Sequence, residues 1–62
     1  MQIDINQIVA DINDLILGKY SEASDPTFDI VTDISVKYRL PIERWLWAIV
    51  TAEIDDTQYP AS

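Results

Sequence analysis

Two pairs of carboxylates, Asp11 with Asp14 and Asp29 with Asp33, are the groups in this sequence whose spacing could do chemistry. At i,i+3 and i,i+4 on helices, each pair would share one face. Two carboxylates divide acid and base roles only when burial or a neighbour drives their pKa values apart. Both pairs fall on faces that the surrounding residues make polar, so the expectation is solvated charge. There is no histidine and no cysteine, which removes the usual general base near neutral pH, the commonest metal ligand and every thiolate. Glu53, Asp55 and Asp56 could offer oxygens to a hard cation. The alternating acids, central glycine and terminal glutamate of a calcium loop are missing around them. No catalytic residue, cofactor or metal site is expected.

Two further patterns bear on function. Ser35 lies in Thr32-Asp33-Ile34-Ser35-Val36. Acyl carrier proteins, also small, acidic and helical, carry their serine directly after an aspartate at a helix start. Here Ile34 intervenes and Ser35 falls inside a predicted helix, so the pattern departs from that family's. Residues 30–54 have the outline of a helix-turn-helix. A DNA reader needs Lys, Arg, Asn or Gln along its second helix. This one offers Glu43, Trp45, Trp47 and Glu53, with Arg44 its single base. Direct nucleic-acid binding is not expected.

Composition narrows the class. The chain has 62 residues, eleven acidic and four basic, for a net charge of −7. Such a field repels nucleic acid and anionic membranes and favours a basic partner, or simply solubility. The longest apolar run, 45–50, is far short of a membrane span. No basic stretch precedes an apolar run at the start, so neither a signal peptide nor a membrane location is expected, and a cytoplasmic one is. A chain this short buries only about 60% of its unfolded surface. With disulfides excluded, tight helix packing or assembly with a partner must make up the difference.

The elements follow from periodicity. Ile5, Ile8, Val9, Ile12, Leu15 and Ile16 form one stripe at helical spacing. Asp4 can cap the first amides, Gln7 completes a capping-box spacing, and Gly18 stands where a left-handed terminal residue belongs. These predict a first helix over about 4–17. Asp25-Pro26 restarts a helix, with Asp as N-cap and Pro at the first helical position. The body 28–40 fits two periods. As a helix it groups Phe28, Ile30, Val31, Ile34 and Tyr38; as a strand it alternates through Phe28, Ile30, Ile34, Val36, Tyr38 and Leu40. Its length and the placement of Asp25 and Asp29 before Lys37 and Arg39 favour a helix over about 26–39. A strand within 28–40, giving an α+β fold, is the alternative. Pro41 opens a third helix over about 41–54. The expected fold is an all-α three-helix domain over 1–55, with a short flexible tail over 56–62.

The third helix is apolar on more than one side. Projection groups Ile42, Trp45, Leu46, Ile49 and Ala52 as its core face, with Val50 at the edge, and sends Trp47 outward beside Arg44 and Thr51. Glu43, Arg44, Trp47, Val50, Thr51 and Ile54 are therefore the expected partner-binding residues. Trp47 could instead be covered from within, by Tyr20 or Tyr59. The reading is a non-enzymatic interaction module, a small acidic regulator or inhibitor that docks on another protein and forms a homo-oligomer. One alternative is a nucleic-acid mimic presenting Asp4, Asp11, Asp14, Glu22, Asp25, Asp29 and Asp33 to a basic cleft. Another is a structural subunit of a homo-oligomer or larger assembly.

Overall fold

The computed structural model describes residues 3–58. Three helices follow one another, α1 (Ile5–Leu17), α2 (Thr27–Tyr38) and α3 (Arg44–Gln58), and no strand occurs among the described residues. None of these helices is long and apolar enough to cross a membrane.

α1 begins where its cap predicts. Asp4 is extended, and its carboxylate accepts from the amides of Asn6 at 3.0 Å and Gln7 at 3.3 Å. The Gln7 side chain does not close a capping box; it donates to Asp11 Oδ1 at 3.4 Å. Gly18 ends the helix with a negative φ of −113°, so the expected left-handed glycine is not formed. What favours glycine there is space, because a Cβ would stand in tight contact, 3.0 Å from the Asp14 carbonyl oxygen. The turn closes two residues later, where the Tyr20 amide donates back to the Leu15 carbonyl.

The segment 28–40 is helical, and its alternating pattern does not produce a strand. Asp25 accepts from the Thr27 amide and hydroxyl, and the buried Pro26 accepts from Ile30 through its carbonyl. At the far end Arg39 takes a left-handed conformation, φ 55° and ψ 48°. The Leu40 amide donates to the Ser35 carbonyl and the Arg39 amide to that of Val36, which is a Schellman closure with arginine in the position glycine normally fills.

α3 starts at Arg44, three residues after Pro41. Leu40, restricted by the proline, begins a connection without regular secondary structure that continues through Glu43. Glu43 then supplies the helix start, its carbonyl accepting from Leu46 and Trp47 and its carboxylate from the Trp45 indole. The helix also runs to Gln58, beyond the expected end near 54, so residues 56–58 are helix and not tail. Its last turns are tied to α1: Asn13 donates to Glu53 at 2.9 Å and accepts from the Thr57 hydroxyl at 3.4 Å. The rest of the expected tail, 59–62, lies outside the described residues.

Each helix contributes three side chains to one core: Ile8, Ile12 and Ile16; Ile30, Val31 and Ile34; Leu46, Val50 and Ile54. The contributions of α1 and α3 are rows spaced by four residues, the ridges that interlock most often between helices. This corrects the expected face of α3. Val50 and Ile54 are interior, whereas Ile42 and Ala52 are exposed and Trp45, Trp47 and Ile49 pack half-buried around the margin. The slim Leu46–Val50–Ile54 row fits between two rows of branched side chains, where indoles would separate the helices.

Candidate functional site

The outward face of α3 is built on that rotation. With Leu46, Val50 and Ile54 turned inward, Arg44, Ala48, Thr51, Ala52 and Asp55 face solvent. Trp47 stands at the edge of this face. Its ring lies 6.0 Å from that of Phe28, centroid to centroid, with the planes tilted by 31°. Phe28 is 63% exposed, whereas Trp47 is half-buried against the core, so the solvent-exposed part of the pair is chiefly the phenylalanine ring. Of the expected contact residues, Glu43, Arg44, Trp47 and Thr51 are brought to this surface, and Val50 and Ile54 are removed from it by burial. The aromatic ring against Trp47 is that of Phe28, while the Tyr20 hydroxyl is bonded to Asp33; Tyr59 lies outside the described residues.

Phe28 belongs to the surface and was placed with the core by its helical grouping. A finer projection identifies it: at about 100° per residue, Phe28 lies roughly 115° from the centre of the Ile30–Val31–Ile34 stripe. The first turn of α2 therefore sends its ring sideways, towards the first turn of α3.

The carboxylates are arranged differently. Lys37 and Tyr38, at the end of α2, both reach Asp11 in the middle of α1, the lysine at 2.9 Å and the tyrosine by donating its hydroxyl. Lys19 and Tyr20, just after α1, reach Asp33 in the middle of α2 at 3.1 Å and 2.6 Å. Two consecutive Lys-Tyr pairs thus clasp one aspartate each on the opposite helix. Between the clasps lies an open groove of about 250 Å³, lined by Asp11, Asp14, Leu15, Asp33, Ile34 and Lys37.

These donors hold both aspartates below the usual carboxylate range. For Asp11 the Tyr38 hydroxyl is the largest cause and Lys37 the next. For Asp33 the Tyr20 hydroxyl leads, with Lys19 adding to it against the cost of burial. A carboxyl held ionised in this way is a poor proton donor, and Asp11 and Asp33 are clasped by their neighbours where the sequence pattern led to solvated charge. Among the described residues no group of three or more acidic side chains is placed to hold a metal ion. Glu53 is engaged by Asn13, while Asp55 and Asp56 face solvent. Ser35 donates to the Leu40 carbonyl at 2.5 Å, so its hydroxyl serves the helix end.

The acidic surface is smaller than the sequence count. Asp4 and Asp25 accept from helix-start amides, and Asp11 and Asp33 are clasped. Asp14, Glu22 and Asp29 are exposed and make no side-chain hydrogen bond or ion pair among the described residues. Comparison of the chain with known proteins finds no matching family model, no matching curated protein and no matching solved structure.

Proposed function

We propose that this protein acts by protein–protein contact rather than by catalysis, through the outward face of α3. The observation that carries the reading is the exposed Phe28 ring beside the half-buried Trp47, bordered by the exposed Arg44 and Thr51. Aromatic residues and arginine dominate the energetics of protein interfaces, because they bury large area and keep a polar contact. A small acidic regulator or inhibitor of a larger protein fits this surface. Nucleic-acid mimicry is less well supported, because four of its seven acidic residues are already engaged within the fold.

The test is partner capture from the native host and by a tagged second copy, run for the wild type, Trp47→Ala and Phe28→Ala at matched helicity. Both variants are expected to lose the captured protein, and capture by the wild type is expected to survive raised salt. Equal capture by all three would end the proposal. Capture that collapses with ionic strength but survives both substitutions would move the function to the acidic surface.

A further inference from the structure

The exposed stripe of α3 is self-complementary. In order it carries Arg44, Ala48, Thr51, Ala52 and Asp55, with the half-buried Trp47 at its edge. Consider two such helices laid antiparallel about a twofold axis between Ala48 and Thr51. Arg44 of each copy then faces Asp55 of the other and Ala48 faces Thr51, while Trp47 and Ala52, about 140° apart on the helix, flank the contact on opposite sides. Small residues meet at the centre, and each charge meets its opposite. The stripe is also neutral in a molecule of net charge −7. Two copies repel over most of their surfaces, so a neutral face with paired charges is where they can meet.

A second observation concerns the helix dipole. α3 has no acidic residue in its first turn and no basic residue in its last. Instead Arg44 stands at the positive end and Asp55 near the negative end, where each is unfavourable for its own helix. In the antiparallel pair the relation reverses, because Arg44 lies beside the carbonyl end of the second α3 and Asp55 beside its amide end. Charges that oppose the isolated helix stabilise the paired one.

We propose that a second copy of this chain covers the outward face of α3, forming a twofold dimer through antiparallel packing of the two helices. The inference rests on the reading of that face as a docking surface and names its occupant. Phe28 and Trp47 close the margin of the contact, and Ala48, Thr51 and Ala52 let the helices approach.

Sedimentation equilibrium of the full chain tests this across a wide concentration range, with circular dichroism to follow helicity. The wild type should show a reversible monomer–dimer equilibrium. Arg44→Asp and Asp55→Arg should each weaken it about tenfold, since twofold symmetry applies every charge change twice. The double variant should restore it. Both substitutions suit the helix dipole, so helicity should hold, and loss of dimer would not reflect unfolding. A wild type that stays monomeric throughout overturns the dimer, as does a double variant no better than the singles. A monomer that captures another protein through Trp47 overturns the self-docking alone and leaves the proposed function standing. Capture unaffected by Trp47→Ala would defeat that function whatever the oligomeric state.

Discussion

The Tyr20 hydroxyl, in the turn after α1, donates to Asp33 Oδ2 at 2.6 Å in the middle of α2. Tyr38, at the end of α2, makes the matching contact with Asp11 in α1. The two bonds and their lysines tie α1 to α2 across the narrowest of the three helix contacts. Polar clasps therefore supplement apolar packing where the packing is thinnest.

The clasps make stability depend on pH at both extremes. Asp11 and Asp33 are lowered from the ordinary 3.8, so their contribution is present above that value and is lost as pH falls through the folded values. Tyr38 is raised from 10.0 to about 12, chiefly by its bond to Asp11. Its contribution is present below 10.0 and is lost as pH rises towards about 12. Thermal melts across this range should show an acid limb and an alkaline limb, both shallower in a Tyr20→Phe, Tyr38→Phe double variant. Limbs of unchanged steepness in that variant would show that the clasps do not set the pH response.

The register of α3 gives a sharp contrast between adjacent residues. Val50 is fully buried and Thr51 is exposed. Val50→Ala should cost about 2 kcal/mol through lost burial and a cavity, whereas Thr51→Ala should change stability by no more than about 0.5 kcal/mol. Chemical denaturation of the two variants measures this directly. Similar losses in both would mean that α3 is rotated from the orientation described.

Arg39 stores conformational strain at the end of α2. Its left-handed backbone costs a side-chain-bearing residue about 1 kcal/mol relative to glycine. Arg39→Gly should therefore raise the melting temperature by about 4–8 °C in a domain of this size, slightly less if the freer unfolded chain offsets part of the gain. A lowered melting temperature would show that the arginine side chain contributes more than its backbone costs.

Much of α1 was legible because everything that specifies it is local. Asp4 caps it, the Ile8–Ile12–Ile16 row defines its buried face, and both bounds match the pattern. The glycine at its end was also legible, but for the wrong reason, since a close carbonyl and not a positive φ favours it. α2 was legible as a helix from its length and the order of its charges. Its strand-like alternation was overruled by burial, because Ile30, Val31 and Ile34 enter the core together while Val36 stays exposed.

By itself the sequence determined three helices, an acidic surface and a chain without the side chains for thiol or imidazole chemistry. These follow from residue type and from spacing within a single turn or two. Only the tertiary structure decided which side of α3 is inside. A helix apolar nearly all round has no preferred face of its own, and its rotation is chosen by the rows it meets on α1 and α2. That choice buries Val50 and Ile54, leaves Trp47 against Phe28, and turns Arg44 and Asp55 outward. The same holds for the clasps: Asp11 with Tyr38 and Asp33 with Tyr20 are distant in sequence, and only the packing of α1 on α2 brings each pair within reach.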